Sequence, residues 1–158
     1  MKILEQRDAF LSDYEVLQFL SKLERKHKWD DENLAKQLQN RGKRVRGARP
    51  YNNPPMQRAV RETLSYLRVN KNYVPQEDED EAAKNSNMSS PITRMNDERF
   101  TEFYQGLDQY ELFKVEKLQI MNQLPRNAVH LYSIVEECDS RFTEEQIQDI
   151  ISIVGRYV

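Results

Sequence analysis

Residues 112–142 read LFKVEKLQIMNQLPRNAVHLYSIVEECDSRF, and the punctuation of this stretch decides the fold. Within it Lys117–Pro125, KLQIMNQLP, is a short apolar run halted at Asn122 and Pro125. A proline lacks the amide N–H and restricts the residue before it, so a helix ends there. Leu112, Phe113, Val115, Leu118, Ile120 and Met121 are spread around most of a helical wheel, the pattern of a helix buried on most sides. Asn127 then offers a cap for another helix, in which Leu131, Tyr132, Ile134, Val135 and Cys138 share a face opposite His130 and Glu137. A greasy helix, a hard stop and at once a further helix predict a bundle of short helices.

The flanks carry the same signals. Downstream, Thr143 and Gln146 form a capping box and Phe142 and Ile147 a hydrophobic staple, ahead of an apolar side made by Ile147, Ile150, Ile151 and Val154. Upstream, Phe100, Phe103, Tyr104 and Leu107 fall at helical spacing. Near the N-terminus Ser12 with Glu15, and Leu11 with Val16, are a second box and staple. Val16, Phe19, Leu20 and Leu23 follow as one stripe reaching His27. A weaker helix from Asp31 rests only on Leu34 and Leu38. RGKRVRGARPYNNPP breaks regularity with its glycines and prolines, and Asn53-Pro54 restarts a helix striped by Val60, Leu64 and Leu67. Only MKIL at the start reads as a strand, with nothing to pair with. The expected fold is all-α.

Between Pro75 and Pro91 the sequence changes character. An acidic block, Glu77–Glu81, leads into Ser and Asn, and such a segment buries too little apolar surface to offset its ordering entropy. It predicts three parts: an N-terminal region over 1–74, a flexible acidic linker over 75–95 and a helical domain over 96–158. The stripes in 1–74 are too sparse to close a core of their own, so they are expected to dock on another surface.

The chain has 158 residues, 38% apolar and 32% charged, with a net charge of −2. That balance gives no global pull toward nucleic acid or membrane. A single cysteine, Cys138, excludes an internal disulfide and suits a reducing compartment. MKILEQRDAF lacks the apolar stretch of a signal peptide, and no run approaches a membrane span. The expected class is therefore soluble and intracellular, with no membrane partner.

Chemistry is sparse. His27, His130 and Cys138 have no metal-ligand spacing and read as helix-face histidines and a buried thiol. No glycine-rich phosphate loop is present, and the carboxylates lie in the linker and on solvated faces, so no catalytic, cofactor-binding or metal-ligating residue is expected. The basic segment Arg41–Arg49 suits phosphate contact or nuclear targeting but lacks aromatics to stack bases; a solvated loop is the plainer reading.

MKILEQRDAFLSDYEVLQFL together with LFKVEKLQIMNQLPRNAVHLYSIVEECDSRF resembles the smaller stalk subunits of eukaryotic RNA polymerase III, the budding-yeast type most of all. That family is similar to the fourth-largest subunit of RNA polymerase II and to its counterpart in the archaeal polymerase. The resemblance implies a non-catalytic nuclear subunit without cofactors. It pairs with a larger stalk subunit bearing a tip domain and an OB-fold, and it protrudes from the polymerase core. It also implies a role in initiation at tRNA and 5S rRNA type genes through an initiation factor of RNA polymerase III, with a weak RNA contact made by the heterodimer. On this pattern the N-terminal region embraces the tip domain through Ile3, Leu4, Leu11, Val16, Phe19, Leu20 and Leu23. The C-terminal part is a bundle like the HRDC domain, the helicase and RNase D C-terminal module. Its expected core is Phe103, Leu118, Ile120, Met121, Leu124, Leu131, Ile134, Val135, Ile147 and Ile150. A rival reading is a free-standing HRDC-like nucleic-acid-binding module, disfavoured because acids outnumber bases from Asn96 onward. A signalling role as a receptor-associated component, described for animal relatives, is a third.

Overall fold

Helix starts are written in side chains that occupy the first free N–H groups. The computed structural model describes residues 9–29, 51, 53–75 and 80–157. Ile3 and Leu4, the MKIL strand, the weak helix from Asp31, the basic segment Arg41–Arg49 and Glu77–Glu79 lie outside the described residues. Ser12 opens α1 (Asp13–His27): its Oγ accepts from Glu15 N at 3.2 Å, while Glu15 Oε2 accepts from Ser12 N at 2.7 Å. Asn53 caps α2 (Pro54–Arg68) by accepting from Met56 N, with proline where no intrahelical N–H is needed. α3 (Glu81–Met88) has no side-chain cap. After a 3₁₀ turn at Pro91–Arg94, Asn96 caps α4 (Asp97–Asp108). α5 is Lys114–Gln123, and α6 (Ala128–Tyr132) is capped by Asn127. α7 (Cys138–Arg141) leads to α8 (Glu144–Gly155), whose Thr143–Gln146 box is formed at both bonds. The described residues are all-α, as expected, with only a lone antiparallel bridge between Val69 and Ser89.

The helix α1 packs on α2, and both reach the 3₁₀ turn; α4 packs on α5 and α8, and α6 on α8. Tyr14, Leu17, Val60, Leu64 and Leu67 belong to the same buried cluster as Ile92, Met95, Phe103, Ile120, Leu131 and Ile150. Polar bonds cross the same ground. Tyr14 Oη donates to Asp97 Oδ1 at 2.5 Å with its ring stacked on Phe100 at 4.6 Å, and Asp13 N donates to Asn122 Oδ1 at 2.9 Å. Asn72 Nδ2 donates to the carbonyls of Gln123 and Leu124.

Within the segment expected as a linker over 75–95, the residues from Asp80 onward form α3 and the 3₁₀ turn; the bridge at Val69–Ser89 joins α3 to the end of α2, and Ile92 and Met95 are buried in the core. Two differences fall within residues 112–142. The helix α5 is not apolar on most sides: Phe113 and Val115 are exposed, and Leu118 is half-buried. Its buried face is Glu116, Lys117, Ile120 and Met121, because the two charges are neutralised by partners on other helices. The single helix expected from Asn127 through Cys138 breaks after Tyr132, where Glu137 takes left-handed backbone at φ 49° and redirects the chain into α7. Tyr132 consequently faces solvent.

The connection leaving α1 is anchored at its root. Lys28 at φ 53° ends the helix, letting Trp29 N bond back to Glu24 O. Trp29 is buried, its Nε1 donates to Tyr51 O at 2.9 Å, and its carbonyl accepts from Arg61 at 2.7 Å. His27 stacks on it at 5.1 Å. Trp29 and Tyr51, 22 residues apart, are thus clasped together.

Candidate partner-binding surface

Two residues apart on a helix means about 200° apart around it. Leu17 is buried against the core and Phe19 therefore points away, with 61% of its surface exposed. Just ahead of α1, Phe10 and Leu11 are also exposed. Three large apolar side chains are thus left in water over ten residues at and just before the start of α1. Val16, Leu20 and Leu23, expected beside them, are instead half-buried and pack on the core. The stripe seen in sequence is thus divided: its inner part holds α1 onto α2, and Leu11 and Phe19 remain on the surface. Tyr14 and Leu17, which lie outside the expected stripe, carry the inward contact; their spacing of three is the signal that could have found them. Leu11 does not close a staple on Val16, whereas Phe142 and Ile147 are both buried.

Among the residues expected in the bundle core, Phe103, Ile120, Met121, Leu124, Leu131, Val135, Ile147 and Ile150 are buried; Leu118 and Ile134 are half-buried.

The ionisable groups near the bundle core are occupied in bracing it. Glu116 receives Arg141 Nη1 at 2.6 Å and Nη2 at 3.0 Å, caps α5 through Phe113 N, and accepts from Glu136 N. Burial by itself would raise the Glu116 carboxyl; the Arg141 hydrogen bond, the Phe113 N–H, the Arg141 charge and the Glu136 N–H outweigh it, and the group titrates below its ordinary range. Arg141 also lies over the rings of Phe113 and Phe142. Lys117 Nζ reaches Asp108 at 2.5 Å. Cys138 is buried, and burial followed by the Asp139 charge raises its thiol, the reverse of what a nucleophile or metal-ligating thiolate needs. Among the described residues no cluster of His, Cys, Asp or Glu has metal-binding geometry. No described helix is long and apolar enough to cross a membrane.

Fold and surface together define a protein whose described residues are all-helical, whose bundle is tied by the Arg141–Glu116 and Lys117–Asp108 pairs, and which exposes Phe10, Leu11 and Phe19 around the start of its first helix. The RNA polymerase Rpb4 family model matches residues 10–158. The chain is 51% identical to "DNA-directed RNA polymerase III subunit RPC9" of Saccharomyces cerevisiae over 99% of both chains. It is 28% identical to "DNA-directed RNA polymerase III subunit rpc9" of Schizosaccharomyces pombe, over 98% of this chain and 97% of that one. The chain belongs to the RNA polymerase Rpb4 family. The resemblance drawn from the two quoted stretches is borne out.

Proposed function

We propose that this chain is the Rpb4-family subunit of a DNA-directed RNA polymerase III. The observation that carries the reading is the identity of 51%, which runs along 99% of both chains and so takes in the N-terminal region as well as the bundle. On this reading the protein is nuclear and non-catalytic. It pairs with the larger stalk subunit (tip and OB-fold domains), stands on the polymerase core and supports initiation through an initiation factor of RNA polymerase III. Residues 1–74 meet the tip domain, with Leu11 and Phe19 as the described contacts and Ile3 and Leu4 beside them. Residues 96–158 form the HRDC-like bundle.

Purification of the chain from its native nuclei, followed by identification of what accompanies it, tests the assignment. The large subunits of RNA polymerase III in equal amounts are the expected result; polymerase I or II subunits in their place, or none, overturn it. Phe19→Asp tests the docking face. Because Phe19 is exposed, the variant should melt like the parent yet lose about a hundredfold in affinity for the larger stalk subunit, the effect of an unpaired carboxylate trapped at an interface. Leu20→Asp would confound the two effects, since Leu20 also packs on the core.

A further inference from the structure

A cleft of about 380 Å³ opens where three parts of the chain meet. One wall is the end of α3 and the 3₁₀ turn, with Ser86, Ser89 and Arg94; the other is the Pro125–Arg126 stop beyond α5; Ile151 and Val154 of α8 lie beneath. Its charged residues are two arginines, and no carboxylate lines it. Neither Arg94 nor Arg126 has an ion-pair partner among the described residues. Arg99, Lys114 and Arg156 are likewise without an ion pair among the described residues, so what distinguishes Arg94 and Arg126 is that they line one cleft together.

One arginine is held at its guanidinium and the other follows a braced backbone. Arg94 is held by Ser86, through the carbonyl at 2.6 Å and Oγ at 3.0 Å. Arg126 follows a turn with little freedom: Leu124 is left-handed, Pro125 is fully buried, and Asn72 ties down the carbonyls of Gln123 and Leu124. A guanidinium presents planar paired donors that match an oxyanion, and fixing it beforehand lowers the cost of binding.

We infer that this cleft is a docking site for an acidic peptide segment of another protein, whose carboxylate or phosphorylated side chain is taken by Arg94 and Arg126 while a neighbouring apolar side chain rests on the half-buried Ile151. A peptide fits better than RNA. No aromatic ring lines the cleft to stack a base. The inference rests on the cleft alone and does not depend on the polymerase assignment.

The test uses the full chain and fluorescence anisotropy at physiological ionic strength. The probes are a labelled hexapeptide alternating Glu and Leu, its Gln analogue, a version carrying phosphoserine, and a decauridylate RNA. The Glu or the phosphoserine peptide should bind about tenfold more tightly than the Gln peptide, and their order identifies the preferred oxyanion. Arg126→Ala, at an exposed position, should weaken that binding about fivefold with unchanged melting, and Arg94→Lys, which keeps charge but loses the planar fork, should weaken it too. Equal binding of charged and neutral peptides, no peptide binding, wild-type affinity in Arg126→Ala, or tighter binding of the RNA would overturn the inference.

Discussion

Among the described residues three other than glycine hold left-handed backbone, and burial separates them into two kinds. Lys28 and Glu137 are exposed, so nothing but backbone strain depends on their side chains; Leu124 is only 4% exposed. Left-handed backbone costs an L-residue about 1–2 kcal/mol, part of which glycine gives back through unfolded-state entropy. Lys28→Gly and Glu137→Gly should therefore each stabilise the chain by about 0.5–1 kcal/mol, whereas Leu124→Gly should destabilise it by about 2–4 kcal/mol because the cavity outweighs the relief. Urea midpoints of the three variants check the pattern, and stabilisation by Leu124→Gly would contradict it. Glu116 gives a pH signature. Its folded-state pKa is depressed, so its contribution is present above the ordinary carboxylate value of roughly 4.3 and is lost as pH falls through the lower folded value. Stability measured from pH 6 downward should fall less steeply in Glu116→Gln than in the parent, and identical slopes would show that the Arg141 bonds do not favour the ionised form.

Elements were legible wherever their start is chemical. Ser12, Asn53, Asn127 and Thr143 were readable as caps and all four cap. The face of α5 was not legible. Glu116 and Lys117 are polar letters at buried positions, Phe113 and Val115 apolar ones at exposed positions, and their partners Arg141 and Asp108 lie on other helices. Nothing local marks Tyr132 as the last residue of the helix after Asn127, or Glu137 as the residue that turns the chain into α7, since glutamate rarely adopts the left-handed region. How α1 is fixed to α4 depends on one side chain. Burial first, then the Asp97 hydrogen bond and charge, push the Tyr14 hydroxyl up to about 12. A raised folded pKa means stability that is intact below the ordinary tyrosine value near 10 and lost as pH rises through the folded value. Tyr14→Phe keeps the stack on Phe100 and should cost about 0.5–1.5 kcal/mol at neutral pH. It should also remove part of the alkaline loss, and Tyr14→Ala should cost about 3–5 kcal/mol at neutral pH. Chemical denaturation of both variants at pH 7 and pH 11 decides it; equal costs would mean that the ring does no packing.

At the scale of the molecule, the division expected from the acidic segment does not coincide with the burial. The sparse stripes of residues 1–74 were legible, but not that Val60, Leu64 and Tyr14 join the cluster around Phe103 and Ile120, since that depends on how distant segments meet. One shared cluster implies one transition. Trp29, the single tryptophan, lies at the α1–α2 end, so its fluorescence reports that end while far-ultraviolet circular dichroism reports all the helices. The two midpoints should coincide in urea, and a fluorescence midpoint clearly below the dichroism midpoint would separate the halves.

The clasp between Trp29 and Tyr51 bears on how such a chain can change over time. Because Trp29 Nε1 grips the Tyr51 carbonyl and Arg61 grips the carbonyl of Trp29, α1 and the approach to α2 are joined directly at these roots. Closing a loop twice as long costs only about 0.6 kcal/mol more. A change in the number of residues between two such roots should therefore cost little in stability and leave α1 seated on α2.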